Sequence, residues 1–191
     1  MFKKLIDFDK WLFTKINQTT ANSLFDAIMP FFREPLVWIP LYLFIILFAI
    51  YNFPKKAMGW IIGLGLTATT TDLISSRIIK PFIGRQRPCN DFEMIDTIRL
   101  LIPNCGQNGS FTSSHAANHF GIAMFIYITM RNSWGNYTYL FFLWAALISY
   151  AQVYVGVHYP FDILGGAIVG CTAGYFIATV FTKKTGPISL K

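Results

Sequence analysis

The chain has 191 residues, of which 54% are hydrophobic and only 13% are charged. An ordinary soluble domain carries about 25% charged residues, so this composition excludes a disordered chain and favours an integral membrane protein. The net charge is +7, but the basic residues lie between apolar runs rather than along one polar face, which argues against a nucleic-acid partner. The three cysteines are too few for a disulfide scaffold and match no zinc-binding spacing.

The N-terminal segment, residues 1–35, mixes polar and apolar positions. Its apolar side chains recur at helical spacing, with charged residues between them: Leu5, Phe8, Trp11, Leu12 and Ile16. This periodicity predicts an amphipathic helix that lies in the membrane interface rather than crossing the bilayer. A soluble N-terminal helix with frayed ends is the alternative interpretation.

Five apolar stretches follow and predict membrane-spanning helices. They cover residues 36–53, 57–79, about 115–130, about 137–157 and about 161–182. Between the second and third stretches, residues 88–114 are polar and predict one long extracytoplasmic loop. We therefore expect a single all-α domain over residues 1–191. It should be a bundle of about five transmembrane helices, or of six if residues 11–32 also cross.

Alternating spans bring three segments to one membrane face: residues 80–88, 112–119 and 152–162. The opposite face receives basic residues and no acid, which indicates that it is cytoplasmic. Those bases are Lys55, Lys56, Arg131, Lys183, Lys184 and Lys191. The raw count of bases disagrees, since ten fall on or near the first face. An anion site in the polar loop region would explain four of the ten: Lys80, Arg85, Arg87 and Arg99.

The first of three polar clusters on this face has three bases within eight positions: Lys80, Arg85 and Arg87. A single base at a membrane boundary is usually an anchor. Three bases so close together, with prolines fixing the backbone, favour an oxyanion clamp. Lysine would supply a point charge and arginine a forked donor that matches phosphate.

The second and third clusters each contain a histidine. Residues 110–115 precede an apolar helix, so their hydroxyls are candidate caps, and the free N–H groups of that helix end would bind phosphate beside His115. In the third cluster, His158 and Asp162 have the spacing of a carboxylate–imidazole pair, which leaves the other ring nitrogen as nucleophile or base. Many such pairs are structural, but ionisable groups bordering an apolar bundle are costly, which favours a functional role.

The three clusters resemble the three motifs of the type 2 phosphatidic acid phosphatase superfamily, in its membrane lipid phosphatase branch. The first motif is a lysine, six residues and Arg-Pro; it is matched by Lys80, Arg87 and Pro88. The second, Pro-Ser-Gly-His, appears as Thr112, Ser113, Ser114 and His115. The third, Ser-Arg, five residues, His, three residues and Asp, appears as Ala151, Gln152, His158 and Asp162.

One departure from these motifs removes a charge. Gln152 stands where the family has a phosphate-binding arginine. Two compensations are open at this point: Arg85 could supply the missing charge, or Gln152 could donate a neutral hydrogen bond to the phosphate.

The resemblance implies phosphate transfer without a metal or other cofactor. His158 would attack phosphorus and form a phosphohistidine, with Asp162 orienting its ring, and His115 would protonate the leaving group and then activate water. The residues expected to hold the phosphoryl oxygens are Lys80, Arg87, Ser113, Ser114, Gln152 and Arg85. Since imidazoles titrate near pH 6.5, a bell-shaped pH dependence is expected. His119 has the spacing of a metal pair with His115, but no acid accompanies it in that helix, which favours a packing role.

The expected function is therefore a bacterial lipid phosphate phosphatase, with the inner membrane as its location and the active site facing the periplasm. The candidate substrates are undecaprenyl diphosphate, phosphatidylglycerophosphate or phosphatidate, and a lipid A phosphate, with a slight preference for the first. The alternatives are a lipid phosphotransferase and a non-catalytic lipid-phosphate binder or transporter. Retention of both histidines and Asp162 argues against a binder. The expected partners are the lipid substrate and the bilayer, with no obligate protein partner.

The polar loop holds two of the three cysteines, Cys89 and Cys105. We expect them to form a disulfide, because oxidation is permitted on the extracytoplasmic side. Cys171, in the fifth span, would then be free. Two unrelated thiols are the alternative.

Overall fold

The computed structural model describes residues 2–189, which contain helices and turns but no strand. Met1, Leu190 and Lys191, the last of which enters the charge argument for orientation, lie outside the described residues. The helices are α1 (Phe2–Thr14), α2 (Ser23–Phe32), α3 (Ile39–Asn52), α4 (Pro54–Asp72), α5 (Lys80–Ile83), α6 (Ser114–Trp134), α7 (Tyr139–Tyr154) and α8 (Pro160–Thr185). The all-α fold predicted from the sequence is confirmed.

Helix α6 lies at the centre of the bundle and packs against α4, α7 and α8. Its contact with α8 is close because glycines on α8 lie against the α6 backbone. A Cβ atom at Gly170 or Gly174 would collide with backbone atoms of α6, and one at Gly166 with the carbonyl oxygen of Ser113, just before α6. Small residues that let helix backbones approach are typical of membrane bundles, where packing replaces the hydrophobic effect.

The outer surface of the bundle is apolar, as a bilayer requires. Large exposed side chains project from α3, α4, α7 and α8, among them Leu47, Ile62, Leu143 and Ile168. Three helical segments are long and apolar enough to cross a membrane: Pro35–Asn52, Pro54–Asn90 and Pro160–Thr185. Helices α6 and α7 lie where the other two spans are predicted, so the count of five spans stays a prediction.

The N-terminal segment differs from the sequence-based expectation. It forms two helices rather than one, α1 and α2, with a π-helical stretch at Lys15–Thr19 after α1. Asn22 caps α2 by accepting a hydrogen bond from the backbone N–H of Phe25. Asp9 and Asn17 are fully buried, and the Asn17 amide donates to the carbonyls of Arg99 and Tyr154. Buried polar contacts therefore tie this segment to the bundle.

Three chain segments meet at one end of the bundle: the α4–α5 end, the start of α6, and the α7–α8 junction. Between α4 and α5 the helix continues as a π-helical stretch, Leu73–Ile79. Here Ser75 donates to the carbonyl of Thr112 and lies 3.0 Å from the Ser114 hydroxyl, which fixes the start of α6 against the end of α4. The polar loop covers this end, and a disulfide joins Cys89 to Cys105 within it, with Cα atoms 6.0 Å apart.

Candidate active site

The start of α6 is held by its own cap and by α8. Ser113 is the N-cap residue, and its hydroxyl accepts a hydrogen bond from the backbone N–H of Ala116 at 3.4 Å. The backbone N–H of Ser113 donates to the carbonyl of Asp162 at 3.0 Å. The second and third motif segments are therefore joined through main-chain atoms, and the Ser113 hydroxyl oxygen caps α6.

His158 lies in the tight turn between α7 and α8 and is fully buried. The turn depends on Gly156, whose φ of +94° is unfavourable for other residues and whose Cα faces the Arg99 carbonyl. The Nδ1 atom of His158 is 3.5 Å from Oδ2 of Asp162, and its Nε2 atom is 3.4 Å from Nη1 of Arg87. The ring thus presents one nitrogen to a carboxylate and the other to a cation.

Asp162, in the first turn of α8, accepts hydrogen bonds from several groups besides facing His158. Its Oδ2 accepts from the backbone N–H of Tyr159 at 2.8 Å and from the Ser110 hydroxyl at 2.5 Å. The same hydroxyl lies 3.3 Å from Nδ1 of His158. The other carboxylate oxygen of Asp162, Oδ1, accepts a hydrogen bond from Arg85 at 2.9 Å. These bonds fix the carboxylate, which in turn can fix the tautomer of the imidazole.

The chain of contacts continues to the N-terminal helix. Nη2 of Arg85 donates a hydrogen bond to Asp9 at 2.7 Å, and the Arg85 guanidinium lies 4.2 Å from the centre of the Tyr159 ring. Asp9 also accepts from the backbone N–H of Phe161, at the start of α8. Helix α1 is therefore linked to the Asp162 carboxylate through one arginine.

The environment of His158 favours a neutral ring. Burial lowers the pKa of His158 to about 4, below its ordinary value, although Asp162 acts in the opposite direction. A neutral imidazole can act as a nucleophile, whereas an imidazolium cannot. The protein therefore keeps the ring in the form that nucleophilic attack requires.

Two cavities open beside these residues. A polar cavity of about 920 Å³ is lined by Lys80, Arg85, Arg87, Asn108 and Ser114, among others. A cavity of about 490 Å³ with mostly apolar walls is lined by His115, His119 and side chains of α3, α4 and α6. The two share Asp72 and Ser114, so they are adjacent. An anionic headgroup fits the first cavity and an apolar chain fits the second.

The remaining residues singled out from the sequence take different positions. Gln152 is buried, and its Nε2 atom has no hydrogen-bond partner among residues 2–189. His119 directs Nδ1 to the carbonyl of His115 and Nε2 to the Tyr42 hydroxyl. In the part of the chain that the structure describes, no group of three or more His, Cys, Asp or Glu is placed to hold a metal ion.

Sequence reasoning missed Ser110 and Asp9 as parts of the site. Ser110 begins the second cluster, but its partner Asp162 is 52 residues away. Asp9 carries a detectable signal, because it lies at helical spacing from Leu5, Leu12 and Ile16, on the apolar face of α1. A carboxylate on an apolar face needs a buried partner, although the pattern does not say which one.

The PAP2 superfamily profile matches residues 59–186, which is most of the chain and includes all three motif segments. The chain belongs to the PAP2 superfamily. The family predicted from the motifs is thereby confirmed.

Individual PAP2 relatives match along nearly the whole chain. A lipid A 4'-phosphatase of Bacteroides thetaiotaomicron is 33% identical, with 96% of this chain and 83% of the relative covered. An undecaprenyl-diphosphatase of Sulfolobus acidocaldarius is 28% identical, with 96% and 82% covered. The crystal structure of Aquifex aeolicus LpxE has a TM-score of 0.63 and 27% identity, covering 88% of this chain and 93% of that chain. The similarity therefore extends to the N-terminal segment, outside the family match.

Proposed function

We propose that this PAP2 protein is a membrane lipid phosphate phosphatase that works through a phosphohistidine formed on His158. One observation carries the proposal. The neutral, oriented His158 ring faces Arg87, which lines a cationic cavity, and this cavity adjoins an apolar cavity lined by His115. A nucleophile thus contacts a residue of the anion site, and the anion site adjoins the lipid site.

The chemical step follows from this arrangement. Lys80 and Arg87 hold the phosphoryl oxygens, and Nε2 of His158 attacks phosphorus while Nδ1 faces Asp162. As the N–P bond forms, the bond from phosphorus to the lipid oxygen breaks, and His115 gives that oxygen a proton. His115 then accepts a proton from water, which attacks the phosphohistidine and releases inorganic phosphate. Lys80 and Arg87 supply the positive charge that the transferring phosphoryl group needs.

The position of His115 indicates the side on which the lipid lies. A general acid must be within reach of the leaving oxygen, and His115 borders the apolar cavity between α3, α4 and α6. The leaving group is therefore on the apolar side, as expected for a lipid alcohol or a prenyl phosphate.

Among lipid phosphates, we propose a lipid A phosphate monoester first and undecaprenyl diphosphate second. Two lipid A 4'-phosphatases are 33% and 28% identical to the chain, and undecaprenyl-diphosphatases are 28% and 27% identical. This order reverses the slight preference drawn from the sequence alone. The single-site geometry, with both histidines in place, favours hydrolysis over passive binding.

We further propose that the protein spans the bacterial inner membrane, with the active site on the periplasmic side. The Cys89–Cys105 disulfide lies at the active-site end and requires an oxidising compartment. The bases at the other end, including Lys55, Lys56 and Arg131, fit a cytoplasmic face.

Phosphate release from a panel of lipids tests the proposal. The purified protein in nanodiscs would receive lipid A, undecaprenyl diphosphate, phosphatidylglycerophosphate and phosphatidate, with His158→Ala as the inactive control. We expect the highest kcat/KM on lipid A and none in the control. Release no faster than in the control for every lipid would overturn the proposal. Appearance of phosphate on a second lipid instead of in solution would favour the phosphotransferase.

A further inference from the structure

Gln152 leaves the anion site one positive charge short of the family motif. Where the resemblance leads one to expect an arginine, the chain has a buried neutral amide whose Nε2 donor has no partner among residues 2–189. A buried unsatisfied donor is costly, so a bound acceptor at this point is expected. Arg85, one of the compensations considered from the sequence, is bonded to Asp9 and Asp162.

The C-terminal end of α2 lies beside the residues that flank Gln152. Helix α2 packs against α7. Met29, in the last turn of α2, belongs to the same buried cluster as Ala151 and Val155, and Phe32 packs against that cluster. The residue that follows α2 therefore lies next to the end of α7 that carries Gln152.

That residue is Arg33, the C-cap of α2. Its side chain is only 18% exposed, and its Nε atom is buried with no hydrogen-bond partner in the described part of the chain. One terminal nitrogen, Nη1, is 2.8 Å from Oε1 of Glu34. An arginine with an unpaired buried nitrogen is poised to bind a further acceptor.

The chain that follows Arg33 reaches the apolar cavity of the active site. Pro35, two residues further on, lines the apolar cavity together with Ser114 and His115. Burial lowers the pKa of Arg87, and the positive charge of Arg33 contributes in the same direction, which places the two guanidinium groups in one neighbourhood. Despite the ion pair with Glu34, the buried Nε donor of Arg33 lacks an acceptor in the described part of the chain, and a bound anion would supply one.

We propose that Arg33, together with the amide of Gln152, replaces the missing motif arginine and binds the phosphoryl group of the substrate. The cation has moved from α7 to the end of α2 while still serving the same anion site. The position is favourable in the unliganded protein, because a positive charge at a helix C-terminus is stabilised by the helix dipole. The inference rests on the proposed function for the identity of the anion, a lipid phosphate monoester or diphosphate.

Two variants of Arg33, one neutral and one charged, test whether its charge binds phosphate. Affinity for inorganic phosphate and vanadate would be measured by calorimetry, and KM and kcat on a lipid phosphate by phosphate release. We expect Arg33→Met to weaken anion binding and to raise KM by about 10- to 100-fold, the effect of one charge-assisted hydrogen bond. Arg33→Lys should retain most of the affinity. Equal affinities for the two variants would overturn the proposal.

A rescue experiment tests whether the charge can return to its position in the motif. The double variant Arg33→Met/Gln152→Arg should regain at least about tenfold in phosphate affinity over Arg33→Met, because the same anion regains a cation. A folded double variant with no regain would contradict the shared site. Arg131→Met, at the far end of α6, is the matched control and should leave both affinity and turnover unchanged. If the wild type binds phosphate through Arg33 but releases none from any lipid, the proposed function fails and the anion site stands.

Discussion

The two sides of the active site differ in how completely their polar atoms are bonded. On the nucleophile side, formed by Asp9, Arg85, Ser110, His158 and Asp162, each carboxylate accepts at least two hydrogen bonds. On the anion side, formed by Arg33, Lys80, Arg87 and Gln152, two buried nitrogen donors have no partner among residues 2–189. The carboxylates of the nucleophile side are hydrogen-bonded before substrate arrives, whereas the anion side has buried donors that still need an acceptor.

This difference follows from what each side must do. A nucleophile gains most from a fixed orientation, since a misplaced ring loses the advantage of proximity. An anion site gains most from donors that are satisfied only when phosphate is present, because the binding free energy then comes from the substrate itself. Changes on the nucleophile side should therefore lower kcat, and changes on the anion side should raise KM.

The largest effect is expected at His158. His158→Ala removes the atom that bonds to phosphorus, so kcat should fall on the order of 10³-fold or more for every substrate. In the wild type, rapid acid-free quenching and ³¹P NMR should detect a phosphohistidine, which the variant lacks. Near wild-type turnover in a variant that is still folded, as judged by thermal unfolding, would show that another group is the nucleophile.

His115 should show a dependence on the leaving group. His115→Ala should lower kcat/KM by about 10²- to 10⁴-fold on a lipid phosphate, the usual contribution of a general acid. The loss should be much smaller on p-nitrophenyl phosphate, whose leaving group departs without a proton. Comparison of the two substrates with one enzyme preparation is the measurement. An equal loss on both would assign His115 to binding or structure instead.

Substitution of Arg85 tests whether this residue acts with the nucleophile or with the phosphate ligands. Its contacts with Asp9 and Asp162 place it on the nucleophile side, whereas the sequence predicts a phosphate ligand. Arg85→Gln should lower kcat about 10- to 100-fold, the effect of losing the charge-assisted hydrogen bond that orients Asp162, with KM little changed. Asp9→Asn, which alters the same network one residue further away, should have a smaller effect in the same direction. A rise in KM at constant kcat would restore the role predicted from the sequence.

The sequence was informative where a residue's role depends on its neighbours in the chain. Periodicity and apolar runs place the ends of α4, α6 and α8 at one face, and the three motifs lie at those ends. The contacts of Asp9 and Arg33 could not be predicted in this way. Asp9 meets Arg85 across 76 residues, and Arg33 reaches the site only because α2 packs against α7. Such pairings depend on how whole helices pack, and no local pattern encodes that.

The pH dependence tests the environment of His158. Burial lowers its pKa to about 4, so the ring should stay neutral and nucleophilic well below its ordinary value of about 6.5. The acid limb of kcat/KM that belongs to His158 should therefore lie near pH 4. The chain has three histidines, so NMR of ¹³C-labelled histidine, with His119→Asn to assist assignment, can follow His158 directly. A titration near pH 6.5 would contradict the burial argument and restore the expectation drawn from the sequence.

The smallest effect on turnover is expected from loss of the disulfide, which helps to position Arg87 of the anion side without lining the site itself. Arg87 donates its Nε to the carbonyl of Asn108 at 2.9 Å, and the bond between Cys89 and Cys105 holds together the two segments that carry this pair. Cys89→Ala/Cys105→Ala should lower the free energy of unfolding by about 3 kcal/mol, the loop-closure value for a crosslink of this length. Looser positioning of Arg87 should raise KM about fivefold, equivalent to roughly 1 kcal/mol, with kcat nearly constant. A reducing agent should have the same effect on the wild type and none on the double variant, and Cys171→Ala serves as the control. A fall in kcat without a rise in KM would mean that the loop positions the nucleophile rather than Arg87. The assignment of this loop to the anion side would then be wrong.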